Sequence, residues 1–433
     1  MKILSLGDKI KSIRKNRDIT LQDLAEDKFT SGQISSLESG KENNTIKLLK
    51  HISNKLNISI DYLFESEESQ AKKICDNNYK IAECYFYEGD YKTAEKTLLK
   101  SSKYIDEYKL NRQKADVLYL LSRIDYEKGQ YDKARHNCLS ANVIFTIEND
   151  NNKVVETLFQ MGKISHSMNS IYSAVSYFKQ AEAVLRENNI DDNLTLVSIY
   201  FYLAKSYYLN DMTEEAIIYA SFCEKKLNEC SDERVYARKI LKEAKDGLEH
   251  SDIKSSSKLT SKASLLYKDI NHKSQLGLIE NNLADLFIQF EDNKRSIIHY
   301  NRARNIRTYT KDKALINTLI SICSNYILIK DIKNCEELLN HLYSIIDENE
   351  SENLIKCNLI KYRLLSIKNW EDDAEMLLLN TYNYAKEKKM GRTVIDIGIM
   401  LAKLYCERKD EMKAKKYLDE SVLLYKKEGL IER

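Results

Sequence analysis

The 433-residue chain has no proline at all and only 11 glycines. β-Sandwiches and barrels need turn residues every ten residues or so. Their near absence excludes an all-β fold. With Lys, Glu, Leu, Ile and Ala abundant, it predicts an almost entirely helical chain. No apolar run approaches the roughly 18 residues of a membrane span. Charges from Lys2 onward interrupt any signal-peptide pattern. The nine cysteines are odd in number and include no C-x-x-C pair. That excludes a secreted disulfide framework and predicts reduced thiols in a cytoplasmic protein with no membrane association. The phosphate-binding G-x-x-x-x-G-K-[ST], the zinc-protease H-E-x-x-H and the hydrolase G-x-S-x-G are all missing. The seven His are isolated from one another, and no Cys/His set has zinc spacing. An enzyme is therefore not expected, and neither catalytic residues, a metal nor a cofactor is assigned.

What is present divides into two parts. Net charge is +2, too small to name a partner, but the first 64 residues concentrate basic side chains in one helix: Lys9, Lys11, Arg14, Lys15 and Arg17. Such a strip can meet phosphate. In "LGDKIKSIRKNR" (6–17), Leu6, Ile10 and Ile13 share one helical face. "TLQDLAED" (20–27) starts with Thr20 three residues before Asp23, a capping-box pattern. Thr30 or Ser31 caps a third helix whose inner face carries Ile34 and Leu37, and Gly40 stands where a helix end wants a positive φ. "TIKLLKHISNKLNI" (45–58) and "SIDYLF" (59–64) read as a fourth and a fifth helix.

Five short helices in 64 residues, the second and third tightly joined, form helix-turn-helix organisation. The run "IKSIRKNRDITLQDLA…ISSLESGK…LLKHISNKLNISIDYL" resembles the repressor-like helix-turn-helix family over residues 6–64. The resemblance implies that Arg14 and Glu38 pair across helices. It also implies that the third helix enters the major groove with its first residues at base edges. The residues it assigns to DNA are Gln22, Thr30, Ser31, Gln33, Ser35, Ser36 and Lys41. Gln33 could address adenine through both amide groups, while Gln22 and Lys41 suit phosphates. The third helix carries no Arg or Lys, which predicts modest or shape-dependent specificity.

"ESEESQ" (65–70) has no apolar periodicity and marks a boundary between a DNA-binding domain, 1–66, and a second domain, 67–433. Beyond it a frame of small and aromatic residues recurs about every 40 residues. "AECYFYEGDYKTAEKTLLKS" (82–101) returns as "SRIDYEKGQYDKARHNCLSA" (122–141), "GKISHSMNSIYSAVSYFKQA" (162–181) and "AKSYYLNDMTEEAIIYASFC" (204–223). Weaker copies begin at Ala284, Cys323, Tyr362 and Ala402. Small side chains at fixed offsets let paired antiparallel helices approach closely. The pattern resembles the tetratricopeptide repeat without its usual proline, which implies a right-handed α-solenoid of eight or nine helix pairs. "HSDIKSSSKLTS" (250–261) is the candidate joint within it.

The first helix of each pair lines the concave face of such an array. Projecting the frame places Tyr119, Arg123, Gln160, Lys163, His166, Phe201, Lys205, Tyr208, Asn281, Asn282, Asp285, Asn317, Asn325 and Arg363 near it. Asn amides satisfy a peptide backbone's donor and acceptor together, and Lys and Arg favour a carboxylate. Head and repeats together resemble the peptide-pheromone-responsive, quorum-sensing regulators of Gram-positive bacteria. That implies a homodimer on an inverted-repeat operator in double-stranded DNA, and a short signalling peptide that modulates DNA binding. Two alternatives stay open: a peptide-independent repressor, and a repeat scaffold that sequesters a partner protein such as a response regulator.

Overall fold

The computed structural model describes residues 3–26, 28–41, 45–228, 256–310, 312–347 and 350–427. Every regular element among the described residues is helical. The chain divides into two compact units, Met1–Asp269 and Ile270–Arg433.

The first unit opens with α1 (Leu6–Asn16), α2 (Leu21–Ala25), α3 (Ser31–Glu38), α4 (Ile46–Lys55) and α5 (Ile60–Phe64). Their starts are set by side-chain caps on Ser5, Thr20, Thr30, Thr45 and Ser59, each accepting a backbone N–H three residues on. Ile10, Leu24, Ala25, Ile34, Leu37, Leu49, Ile52 and Leu56 close a core with almost no exposure. For a module of this size that core is the main source of stability.

The polar stretch after this head is not a loose tether. Ser66 caps α6 (Glu67–Tyr87), so helix resumes at once. Gln70 folds back on the N-terminus: its Oε1 accepts from the Leu4 N–H at 3.1 Å and its Nε2 donates to the Leu4 carbonyl at 2.9 Å. Ile3 packs against the small core of Ala71, Cys75, Ile105 and Leu110.

The remaining helices of this unit are α7 (Tyr91–Leu99), α8 (Ser102–Tyr108), α9 (Asn111–Glu127), α10 (Tyr131–Ile147), α11 (Asn151–Ser167), α12 (Ile171–Glu187), α13 (Asn193–Leu209) and α14 (213–228). The small residues of the repeat frame lie where helices meet. Ala82, Ala94, Ala134, Ala141, Ala174, Ala181, Ala204 and Ala216 are fully buried. Ser122 donates to the Ala134 carbonyl at 2.7 Å, a contact that a larger side chain would prevent. The first helices of successive pairs, α6, α9, α11 and α13, pack side by side in a row.

The boundary between the units falls within α15 (Ser256–Gln289), and the second unit goes on with α16 (Asn293–Thr310), α17 (Leu315–Leu328), α18 (Ile332–Ile345), α19 (Ser351–Ile367), α20 (Glu371–Glu387), α21 (Gly391–Glu407) and α22 (Glu411–Lys427). One core gathers Tyr300, Ile322, Cys323, Cys335, Leu342 and Cys357. A second gathers Leu378, Tyr382, Ile397, Leu401 and Tyr405. Of the joint expected at 250–261, residues 250–255 lie outside the described residues, and 256–261 belong to α15.

How the repeats turn without proline and with so little glycine has a plain answer. Between most neighbouring helices of the repeats one residue lies in the left-handed region, and among the described residues there it is glycine only at Gly89 and Gly129. Elsewhere it is Asn (149, 169, 189, 369), Lys (109, 330, 389, 409), Asp211 or Glu291. Each linker between α9 and α13 carries the paired bonds of a Schellman end, as at Asp150 N–H to the Phe145 carbonyl (3.0 Å) and Asn149 N–H to Thr146 (3.1 Å). Asn bears this conformation more easily than Lys does. Lys409→Gly is therefore expected to stabilise the second unit by about 1 kcal/mol. Chemical denaturation of the two proteins checks this, and a lower midpoint for the variant would refute it.

Candidate functional site

Two surfaces carry the residues singled out from the sequence. The first is on the head. Thr20 and Asp23 form a reciprocal capping box at the start of α2, and Thr30 and Gln33 form another at the start of α3. Gly40 ends α3 with a φ of +67°. Gln22, Thr30, Ser31, Gln33, Ser35 and Lys41 are exposed, and Ser36 is half-buried. Arg14 fixes α3 from behind. Its Nε and a terminal nitrogen donate to the two carboxylate oxygens of Glu38 at 2.6 and 2.9 Å, and its other terminal nitrogen to the Ile19 carbonyl at 3.0 Å. The Glu38 hydrogen bond, the largest influence, raises the Arg14 pKa further.

Two expectations change here. Gln33 is not wholly free for two-handed pairing with adenine, because its Oε1 already accepts the Thr30 N–H at 2.9 Å. With the cap in place that oxygen keeps one lone pair, so a base would have to share it with the Thr30 N–H. The basic strip on α1 is also not one phosphate surface. Lys9 is 1% exposed, and its ammonium donates to the Tyr62 and Glu65 carbonyls, each at 2.7 Å. Burial lowers its pKa against the pull of Glu65. Arg14 is spent on Glu38, and Arg17 donates to the Leu56 carbonyl. Lys11 and Lys15 remain exposed. Periodicity places a lysine on a helix. It does not say that two carbonyls from α5 and its end wait beneath it.

The second surface is the α6–α9–α11–α13 row. Arg123, Lys163 and Lys205 each stand twelve residues after the start of their helix, so the row presents them at one level. The Arg123 guanidinium lies 4.4 Å from the Phe86 ring centre, 5.5 Å from Tyr87 and 5.9 Å from Tyr119. The Lys163 ammonium lies 4.7 Å from the Tyr126 ring centre, and the Lys153 ammonium 5.4 Å from Tyr119. Burial lowers the Lys163 pKa to about 8, with Glu127 opposing and Arg123 reinforcing. Burial, then nearby Lys205, lowers His166 to about 4. The His166 ring meets Tyr202 edge-on at 5.9 Å. Gln160 is 5% exposed, and its amide nitrogen has no acceptor among the described residues.

Tyr119, Arg123, Gln160, Lys163, His166 and Lys205 are thus brought together, with Tyr208 on the same helix as Lys205. Phe201 is not part of the open surface. It is 3% exposed, because at its turn of α13 the side chain faces the packed interior. The other six candidates belong to the second unit. Asn317 and Arg363 are exposed, and Asn281 and Asn282 are half-buried. Asp285 accepts from the Tyr300 hydroxyl. Asn325 is wholly buried and donates to the Ser296 hydroxyl at 2.7 Å, so it ties α17 to α16 and cannot line a groove.

The sequence reading missed the aromatic surroundings: Tyr79, Phe86, Tyr87, Tyr126 and Tyr202. A signal for part of them was present. Phe86, Tyr126 and His166 recur at a 40-residue interval, as do Tyr79 and Tyr119. Among the described residues no group of three or more His, Cys, Asp or Glu is placed to hold a metal ion. No described helix is long and apolar enough to cross a membrane.

Residues 7–69 match the family model described as a helix-turn-helix domain. The head is a helix-turn-helix domain. Among curated proteins none matches the chain in sequence. Among solved structures, the apo form of the quorum sensor NprR from B. thuringiensis is similar to the chain at a TM-score of 0.54. Identity is 11% over 96% of this chain and 99% of that one. Apo RapI aligns at 0.48, with 15% identity over 73% of this chain and 99% of that one. PlcR of Bacillus thuringiensis, solved with the peptide PapR7 and DNA, aligns at 0.34, with 18% identity over 72% and 99%. The likeness to NprR is one of fold, over 96% of this chain. A helix-turn-helix head precedes a helical-repeat array of the kind found in that quorum sensor.

Proposed function

We propose that this protein is a transcriptional regulator whose repeat domain senses a short signalling peptide. The observation that carries this reading is the head's third helix. It is capped, locked to α1 by the Arg14–Glu38 pair, and turns exposed polar side chains outward from a helix-turn-helix. Ser31, Gln33 and Ser35 address base edges, while Gln22 and Lys41 hold phosphates. The peptide occupies the first unit's row, at Arg123, Lys163 and Lys205 with Tyr119, Gln160 and His166. Within the second unit, taken by itself, Asn281, Asn282, Asn317 and Arg363 remain candidate peptide contacts. A likeness in fold to a quorum sensor supports this division of labour.

The protein acts as a homodimer, with two heads on half-sites about one DNA turn, or ~34 Å, apart. The peptide modulates DNA affinity only to the extent that it prefers one arrangement of the heads over another. The test is selection of random duplex DNA by the full-length protein at moderate salt, with and without a synthetic peptide pool. Enrichment of an inverted repeat whose recovery the pool alters is the expected result. Absence of any enriched DNA under both conditions would overturn the reading.

A further inference from the structure

We infer that the first unit's groove takes an acidic peptide whose carboxylates lie about three residues apart, one for each of Arg123, Lys163 and Lys205. This rests on the peptide-sensing reading above and adds the chemistry of the ligand. Arg14, Arg112, Arg186, Arg295 and Arg408 all have a carboxylate within 4 Å. Among the described residues, Arg123, Lys163 and Lys205 have none. They are half-buried, so each loses hydration without gaining an ion-pair partner, an arrangement that costs stability. An incoming carboxylate removes that cost.

The surroundings fit the same ligand. Phe86, Tyr87, Tyr119 and Tyr126 lie against the cations and keep bulk water from them, which strengthens a charge-assisted hydrogen bond. The unspent amide nitrogen of Gln160, on the same helix as Lys163, supplies a further donor.

Spacing sets the period. α9 packs on α11 and α11 on α13. Neighbouring helices lie about 8–10 Å apart, and an extended peptide advances about 3.3 Å per residue. Three residues therefore cover one helix step. The cations are not a continuous positive surface. Glu127 acts on Lys163, and Glu156 pairs with Lys153 at 2.7 Å. Separate acidic groups suit such a surface better than an unbroken polyanion.

The experiment is affinity selection of a random synthetic heptapeptide library on the full-length protein and on the R123Q, K163Q and K205Q variants. Thermal melts first establish that each variant is folded. The expected result is enrichment of Asp, Glu or the terminal carboxylate at a three-residue interval. Each variant then weakens the selected peptide roughly tenfold to a hundredfold, and Asp→Asn changes in the peptide are harmless only opposite the cation already removed. Retention of peptides with no acidic preference, or equal affinity in all variants, would overturn this inference and leave peptide sensing standing. Retention of no peptide would overturn both.

Discussion

Gly7→Ala is expected to destabilise the head by about 3 kcal/mol and to abolish its DNA binding at 37 °C. Gly7 lies in the first turn of α1, directly against the end of α3. A Cβ there would come within 2.5 Å of the Glu38 carbonyl oxygen and 2.7 Å of that of Leu37. Backbone atoms cannot rotate aside as a side chain would, so α1 and α3 must part. Parting them stretches the Arg14–Glu38 bonds and opens the core at Ile10 and Leu37. The observable is the circular-dichroism melt of the full-length variant, alongside its affinity for a selected duplex. Gly32→Ala is the control, since the nearest atom to its Cβ is the Thr30 hydroxyl at 3.8 Å. An exposed helical glycine so replaced gains about 0.5–1 kcal/mol. Equal melts for Gly7→Ala and wild type would show that α1 and α3 separate without cost.

Gly162→Ala should be nearly as damaging, and in the other domain. Its Cβ would fall 2.4 to 2.8 Å from three atoms of the Phe178 ring. That ring is fully buried, stacked on Tyr202 at 5.3 Å and tilted against Phe159 at 5.7 Å, so it has nowhere to turn. α11 must move away from α12, at a cost of about 1–3 kcal/mol. The next residue is Lys163, so the shift reaches the groove, and peptide affinity should fall together with stability. Adding Phe178→Leu makes room and is expected to recover part of the lost melting temperature. A double variant no more stable than Gly162→Ala alone would show that the ring is not the obstacle.

Much of the fold was legible in the sequence because it depends on local chemistry. Thr20 and Asp23 announce a helix start by themselves, since a hydroxyl and a carboxylate three residues apart satisfy two free N–H groups. The repeats announce themselves through alanines at fixed offsets, because two helices approach only where side chains are small. The period carried a charge as well: Arg123, Lys163 and Lys205 recur in frame, and the fold sets them side by side. What the 65–70 stretch binds was not legible, because Gln70 finds both backbone groups of Leu4, a partner 66 residues away.

The sequence by itself determined that the chain is helical, that a helix-turn-helix comes first, and that the rest is a repeat of about 40 residues. These follow from turn chemistry, caps and periodicity, all of which act within a few residues or repeat along the chain. Only the tertiary structure decided which polar side chains are spent and which remain available. Lys9 is consumed by two carbonyls, Asn325 by Ser296 and the Gln33 carbonyl in part by a helix cap, while Lys163 keeps its charge beside aromatic rings. The physical reason is that a polar group's role depends on the partner that reaches it. Most of these partners come from other helices, at separations that no local pattern records.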